Sequence, residues 1–345
     1  TNLNFEPICF CHFLSYIMNQ SFQNTKSNSL PEMGRAVIEV FGGCNFKCDM
    51  CPQTVGRGKD WTRKMSLDLF EDILKQLKGK PIINLEGSGE PTMAKDLYKY
   101  VQLCTDYGFD SFIYTNGSKL TGELLKNCVM AGIKFIRFSC IGYNHDTYNK
   151  WMYNKSGHTF EDLMGRIQEA KQYIEEVGSD CELSTYHLIL DNDKMAEEVK
   201  LYQDNVINKM GITGYIWKMH NWSGNYDPEY GRETENVRTC GRPFSNEITI
   251  RSGGNDGHRG AVTPCCQTMG QPNESKSVLG HADELSLEDI WFGEEYEKLR
   301  EGHRTGDYPD YCKSCDFLYD NPEVLVWSND PDAKVDHMLG TDFDL

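Results

Sequence analysis

Cys44-Asn45-Phe46-Lys47-Cys48-Asp49-Met50-Cys51 closely follows the apolar run Ala36 to Phe41, and this short stretch decides how the rest of the chain is read. Its CxxxCxxC spacing places three thiols on one tight loop beyond the end of a predicted strand. Three thiolates so placed can cap three irons of a cubane cluster and leave the fourth iron open. The plain alternative is a zinc site, which thiolates also suit.

Outward from this loop, short apolar runs alternate with helical patterns from Arg35 to about Met219, the signature of repeated βα units and a parallel sheet. Six strands are predicted: Ala36 to Phe41, Pro81 to Leu85, Ser111 to Tyr114, Phe135 to Ser139, Glu182 to Leu190 and Tyr215 to Met219. Between them lie amphipathic segments such as Ser66 to Leu77, where Ser66 caps and Leu67, Phe70, Leu74 and Leu77 share a face. Six units fall short of the eight that close a barrel, so the expected fold is α/β, a partial (β/α)6 TIM-type barrel with its site at the carboxyl ends of the strands. After Trp222, Gly, Asn, Asp and Pro become frequent. A hairpin is expected from Glu247 to Arg251, a turn around Gly253 to Gly257, and Ala261 to Thr263, followed by one helix over Ser286 to Arg300. The expected divisions are an N-terminal extension (1–34), a barrel (35–225), a small C-terminal domain (226–330) and an acidic tail (331–345). No internal repeat is found.

Composition narrows the function. The 345 residues carry a formal net charge of −17, which disfavours a protein built to grip nucleic acid. No apolar run is long enough to span a membrane, and Thr1 to Tyr16 has neither the basic start nor the cleavage site of a secretion signal. A soluble, cytoplasmic protein is expected. Of the 14 cysteines, seven fall into tight groups (Cys44, Cys48, Cys51; Cys265, Cys266; Cys312, Cys315). Such grouping fits metal ligation in a reducing compartment better than a disulfide scaffold.

One βα unit after the cysteine loop stands Glu86-Gly87-Ser88-Gly89-Glu90-Pro91. The two motifs together resemble the radical S-adenosylmethionine (radical SAM) superfamily. That resemblance implies that Cys44, Cys48 and Cys51 hold a [4Fe–4S] cluster whose open iron chelates SAM, and that an electron from the cluster releases a 5′-deoxyadenosyl radical. It implies further that Gly87, Ser88, Gly89 and Glu90 meet the SAM amino group. Asn116 after the third strand, Ser139 at the end of the fourth and Ser184 on the fifth are similar to polar groups placed around SAM. Phe46 and Met50 would flank it, with Met50 standing where the family usually has an aromatic residue.

The C-terminal region resembles a twitch domain, a shortened SPASM module with one auxiliary cluster. The resemblance rests on Cys240-Gly-Arg-Pro, Val262-Thr-Pro-Cys265-Cys266, Leu279-Gly280, Ile290-Trp291 and Cys312-Lys-Ser-Cys315. It implies a second [4Fe–4S] cluster on Cys240, Cys265, Cys312 and Cys315, with Cys265 preferred to Cys266 because it follows Pro264 as in the family pattern. A four-cysteine zinc ribbon is the alternative reading of the same spacing.

Candidate catalytic residues are Cys140, expected to face the substrate space as a hydrogen donor, Cys266, and the acid–base candidates His187, Lys218 and His220 at the ends of the fifth and sixth strands. The family's twitch members imply a small polar substrate, with oxidation of a sugar or aminocyclitol carbinol favoured over epimerisation or peptide modification. A flavodoxin or ferredoxin would be the electron donor, with no nucleic-acid or membrane partner. A non-enzymatic zinc protein is the reading from another class.

Overall fold

Six runs form parallel strands, because in each an apolar residue that packs under a helix alternates with one that points the other way. They are β1 (Arg35–Ile38), β2 (Ile82–Asn84), β3 (Ser111–Thr115), β4 (Phe135–Ser139), β5 (Glu182–Leu188) and β6 (Thr213–Trp217). The computed structural model describes residues 29–331 and 333, apart from 56–57, 156, 227–238, 271–273 and 319–324. Most of the expected N-terminal extension and acidic tail therefore lies outside the described residues. Crossover helices include α1 (Leu67–Gln76), α2 (Leu97–Asp106), α3 (Gly122–Met130), α4 (His145–Trp151), α5 (Phe160–Val177) and α6 (Met195–Tyr202). Ser66 caps α1 by accepting the Leu69 N–H at 3.2 Å, and Phe70, Ile73 and Leu74 form its buried face. Among the described residues no helix is long and apolar enough to cross a membrane.

The expected hairpin forms from β7 (Glu247–Ile250) and β8 (Ala261–Thr263), with β9 (Gly280–His281) beside β8. Its place in the fold was not legible in the sequence. Strand β7 pairs parallel with β1, from Arg35 opposite Glu247 to Ile38 opposite Ile250, so the C-terminal segment extends the barrel sheet. A further strand, β10 (Leu325–Ser328), lies antiparallel on β6. The described strands form one open sheet in the order β10-β6-β5-β4-β3-β2-β1-β7-β8-β9, which is the expected partial barrel. The predicted helix over Ser286 to Arg300 is in fact two, α7 (Leu287–Trp291) and α8 (Glu294–Thr305), with Gly293 as the N-cap of the second.

Strand register fixes which side chains face inward. Ala36, Ile38, Val40, Ile83, Leu85, Ile113, Ile136 and Phe138 belong to the helix-facing core. The alternate positions carry Glu39, Asn84, Glu86, Tyr114, Arg137, Ser184 and Arg251, a polar inner face. Pairing puts Val37 opposite both Asn84 and Thr249, and Tyr114, Arg137 and Ser184 side by side. Two residues on from the first set, Glu39, Glu86 and Arg251 reach the level of the second.

Glu39 joins three segments there. Its Oε2 accepts the Ser88 N–H at 3.0 Å and lies 3.7 Å from Arg251 Nη1, while Oε1 accepts Ser252 Oγ at 2.8 Å. Both charged side chains are fully buried. Removing one partner of a buried pair strands the other charge at a cost of about 3 to 5 kcal/mol. Glu39→Ala is expected to lower the unfolding free energy by about that amount, and adding Arg251→Met should restore part of the loss, as chemical denaturation of the iron-loaded protein would show.

Candidate active site

The cysteine loop leaves β1 and is held on both sides. Lys47 N–H donates to Tyr153 O at 2.7 Å and Asp49 N–H to Trp151 O at 3.0 Å, so the segment after α4 grips one edge. Gln53 Nε2 donates to Gly42 O at 3.0 Å and Ser88 O at 2.9 Å, tying the other edge to the glycine loop. Cys44, Cys48 and Cys51 are each partly exposed, and Phe46 N–H points at Cys44 Sγ from 3.4 Å. Burial, then the charge of Glu90, pushes the Cys44 thiol up to about 12, and burial with the neighbouring thiols pushes Cys48 well up. A bound metal cluster reverses that preference, because its positive irons stabilise thiolates.

The glycines of the Glu86–Pro91 loop are required by the chain's own packing. A Cβ on Gly87 would stand 2.2 Å from Glu39 Oε2, and one on Gly89 would stand 1.8 Å from Phe41 O. Only glycine lets the loop approach the end of β1 so closely. Glu90 is buried and heavily engaged. Its Oε1 accepts Thr92 N–H at 3.1 Å, Thr92 Oγ1 at 2.5 Å and Thr115 Oγ1 at 2.7 Å, and Oε2 accepts Asn116 N–H at 2.7 Å. Of about four acceptor positions on a carboxylate, most are taken by the protein, so Glu90 first of all locks the ends of β2 and β3 together. Burial raises its pKa against the pull of those donors. Asn116 then reaches the cysteine loop, with Nδ2 3.1 Å from Asn45 Oδ1 and 4.0 Å from Cys44 Sγ.

Phe46 and Met50 are only 2% and 4% exposed and belong to the main core, which leaves little of either for a nucleobase. Ser139 faces inward beside Tyr186. Ser184 faces inward at a deeper level, where its Oγ accepts Arg137 Nε at 2.9 Å.

Two catalytic expectations are corrected. Cys140 is one residue past inward-facing Ser139, so it points into the helix-facing core. It is fully buried, its Sγ donates to Gly142 O at 3.4 Å, and burial holds the thiol protonated. His187 is also fully buried on that side. Its Nδ1 accepts Gly142 N–H at 3.0 Å, so Nε2 carries the proton it donates to Glu198 Oε1 at 2.6 Å, and the ring stacks on Tyr202. Neither side chain lines the barrel interior. Lys218 and His220 are half-buried beyond β6. The His220 ring lies 4.1 Å from Trp222 and 5.8 Å from Phe317, and burial, then the charge of Arg242, lowers its pKa to about 3. It is therefore a neutral imidazole at physiological pH.

The second thiol set is assembled by the C-terminal segment. Cys312 N–H donates to Pro309 O, Cys315 N–H to Cys312 O, and Cys240 and Cys315 pack with Phe317 and Leu318. Burial raises Cys265 and Cys312, and the neighbouring groups acting on them include Cys240 and Cys315 in both cases, so the four thiols are near one another. Cys266 lies beside the same group, acting on Cys240 and Cys265, and its Sγ accepts Arg242 Nη1 at 3.2 Å. Among the described residues no three His, Cys, Asp or Glu side chains converge tightly enough to hold a single metal ion. Cysteines that each cap a different iron of a cubane need not converge on one point. The all-thiol donor sets fit iron–sulfur clusters.

Comparison with known proteins agrees with this geometry. Residues 38–202 match the family model of the radical SAM superfamily, and residues 245–316 match that of the SPASM iron–sulfur cluster-binding domain. The chain belongs to the radical SAM superfamily. As a radical SAM protein with a C-terminal SPASM-type domain, it uses S-adenosylmethionine and [4Fe–4S] clusters, one in the radical SAM site and one auxiliary. It is similar to the S-adenosyl-L-methionine-dependent 2-deoxy-scyllo-inosamine dehydrogenase of Niallia circulans, at 27% identity over 81% of this chain and 90% of that protein. It is also similar to the tungsten-containing aldehyde ferredoxin oxidoreductase cofactor-modifying protein of Pyrococcus furiosus, at 26% identity over 85% and 92%. Among solved structures, BtrN in complex with AdoMet and 2-DOIA superposes with a TM-score of 0.52 at 21% identity, covering 82% of this chain and 92% of that one. Streptococcus suis SuiB bound to precursor peptide SuiA gives 0.60 at 15% identity, covering 84% and 71%. These last two likenesses concern the fold.

Charged residues of the inner face went unnoticed in the sequence. Arg137 Nη1 donates to Tyr114 OH at 2.9 Å and its guanidinium lies 4.0 Å over the Tyr215 ring. Glu86, with Arg35 Nη2 3.6 Å from Oε1, is raised to about 7 by burial despite that arginine. The available signal was an arginine inside the apolar strand sequence Phe135-Ile-Arg-Phe.

Two outcomes are expected. Cys140→Ala should leave SAM cleavage per iron-loaded molecule unchanged while lowering stability by about 1 kcal/mol. The iron-loaded protein should bind about eight irons, and replacing Cys44, Cys48 and Cys51 together by Ala should leave about four and no SAM cleavage, read by anaerobic iron and sulfide analysis.

Proposed function

We propose that this enzyme is a dehydrogenase acting on a small polar substrate, a sugar or aminocyclitol, at a carbinol carbon. The observation that carries this reading is the second thiol set, gathered beside Arg242, which itself reaches the barrel interior: its Nη1 lies 3.6 Å from inward-facing Glu247. A carbinol oxidation removes a hydrogen atom, a second electron and the hydroxyl proton; a fully cysteine-ligated cluster at that position is a suitable acceptor for the electron, and the proton passes to water. Similarity to the Niallia circulans dehydrogenase along most of both chains supports the same reading.

In this reading Cys44, Cys48 and Cys51 hold the cluster that binds SAM, and Cys240, Cys265, Cys312 and Cys315 hold the auxiliary one. The SAM bound there supplies a 5′-deoxyadenosyl radical that takes a hydrogen atom from the substrate carbon. The chain's own contribution is position. The Gly87–Gly89 backbone, Asn116 and Ser139 shape the SAM end of the cavity, with Glu90 holding the strand ends that carry them. Residues 35–225 then form the catalytic barrel and 226–330 the auxiliary domain, and a flavodoxin or ferredoxin supplies the first electron.

Epimerisation is the second reading, and Cys266 favours it: unlike Cys140, its thiol is partly exposed and held by Arg242 toward the barrel.

The test is the reduced enzyme with a carbinol-deuterated aminocyclitol or sugar. Deuterium in 5′-deoxyadenosine together with a ketone product is expected. Cys312→Ala/Cys315→Ala should abolish the ketone yet retain SAM cleavage and deuterium transfer, with SAM binding as the check on folding. Normal ketone formation in that folded variant would sink the electron-acceptor role, and an inverted alcohol lost in Cys266→Ala would establish the epimerase.

A further inference from the structure

The side of the barrel interior formed by β1, β2 and β7 carries a connected polar cluster whose hydrogen bonding is unbalanced. Asn84 Nδ2 donates to Glu86 Oε1 at 3.0 Å. Arg35 stands between two carboxylates, 3.6 Å from Glu86 Oε1 and 3.9 Å from Glu247 Oε2, too long for hydrogen bonds. Three buried acceptor atoms, Asn84 Oδ1, Glu86 Oε2 and Glu247 Oε2, have no hydrogen-bond donor among the described residues. Asn84 is 1% exposed and Glu247 8%. Arg242 Nε, on the guanidinium that faces Glu247, also lacks an acceptor among the described residues, while Arg251 lies against Glu39. Arg137 cannot serve, since it is engaged by Ser184, Tyr114 and the Tyr215 ring.

A buried acceptor without a donor costs about 1 to 3 kcal/mol. Three in one cluster, next to Gly87 of the glycine loop, mark a place complementary to a molecule rich in donors. We infer that Glu86, Asn84 and Glu247 form the substrate subsite, and that it takes a neutral or cationic polyhydroxylated molecule whose hydroxyl or ammonium groups donate to these three oxygens. An anionic substituent would have to displace Glu86 and Glu247 from Arg35 and Arg242 and is rejected. This deepens the reading of a small polar substrate and rests on it.

The test is calorimetric titration of the iron-loaded, SAM-bound protein under anaerobic conditions with myo-inositol, 2-deoxy-scyllo-inosamine and myo-inositol 1-phosphate. The first two should bind and the phosphate should not. Glu86→Gln keeps the shape, but its carbonyl must go on accepting from Asn84, so the open acceptor becomes an N–H donor. Affinity for both binding probes should fall at least tenfold, with Glu86→Asp intermediate and Glu247→Gln weakened as well, while SAM affinity and iron content hold. Failure of the wild type to bind either polyol, preference for the phosphate, or unchanged affinity in Glu86→Gln would overturn the subsite. Binding that depends on Glu86 but yields no ketone would instead sink the carbinol reading and leave the subsite standing. Ketone formed with unchanged KM by Glu86→Gln would do the reverse.

Discussion

The buried carboxylate of Glu39 is the constraint on which the site's shape depends. It sits just past β1, immediately before the cysteine loop, and it is bound at once by the glycine loop through Ser88 and by the hairpin through Arg251 and Ser252. A charge with almost no exposure must be satisfied completely. That requirement brings three segments distant in sequence to one point. Gly87 is glycine because Glu39 occupies the space a Cβ would need, and Gly89 is glycine because the chain just beyond lies against the loop. The two family motifs are thus mechanically one unit. Gln53 completes it by hydrogen-bonding both Gly42 and Ser88, so the thiol loop cannot shift without moving the glycine loop.

Much of this was legible in the sequence because it is local. Strands announce themselves by alternation, and CxxxCxxC places three thiols on one loop whatever the tertiary context. What could not be read depends on register. Cys140 and His187 do lie near strand ends, but a step of one residue reverses the face a side chain presents. Ser139 faces in and Cys140 faces the helices, and only the pairing of β4 with β5 decides it. The partner of β7 was hidden for another reason: Arg35 and Glu247 are more than 200 residues apart, and no local pattern encodes so distant a pairing. The helix break at Gly293 was visible in principle, as a glycine between two apolar-periodic segments.

Charge within the interior follows one rule on both sides of the barrel. Each arginine lies among acceptors or aromatic rings that spread its charge: Arg251 with Glu39, Arg137 with Tyr114 and Tyr215, Arg242 with Glu247, the Cys266 thiol and the Phe317 ring. Carboxylates are less evenly served. Glu39 and Glu90 receive several donors each, whereas Glu86 and Glu247 keep an oxygen to spare. The served pair fixes the backbone, so it behaves as scaffold. The underserved pair retains hydrogen-bonding capacity.

The sheet order gives this arrangement its economy. Strands β7 and β8 continue the inner face from β1, and their inward residues Thr249, Thr263 and Arg251 are as polar as those of the barrel strands. One wall of the interior is therefore supplied by the same segment that carries Cys265 and, a few residues before β7, Cys240 and Arg242. Any movement of that segment changes this wall of the interior and the Cys240 and Cys265 thiols together. Arg242 is the hinge of this coupling, since one guanidinium touches Cys266 and approaches Glu247. A twitch-type appendage fused to the sheet edge in this way cannot act as an independent module, because its first strand is also the wall that keeps the barrel interior polar.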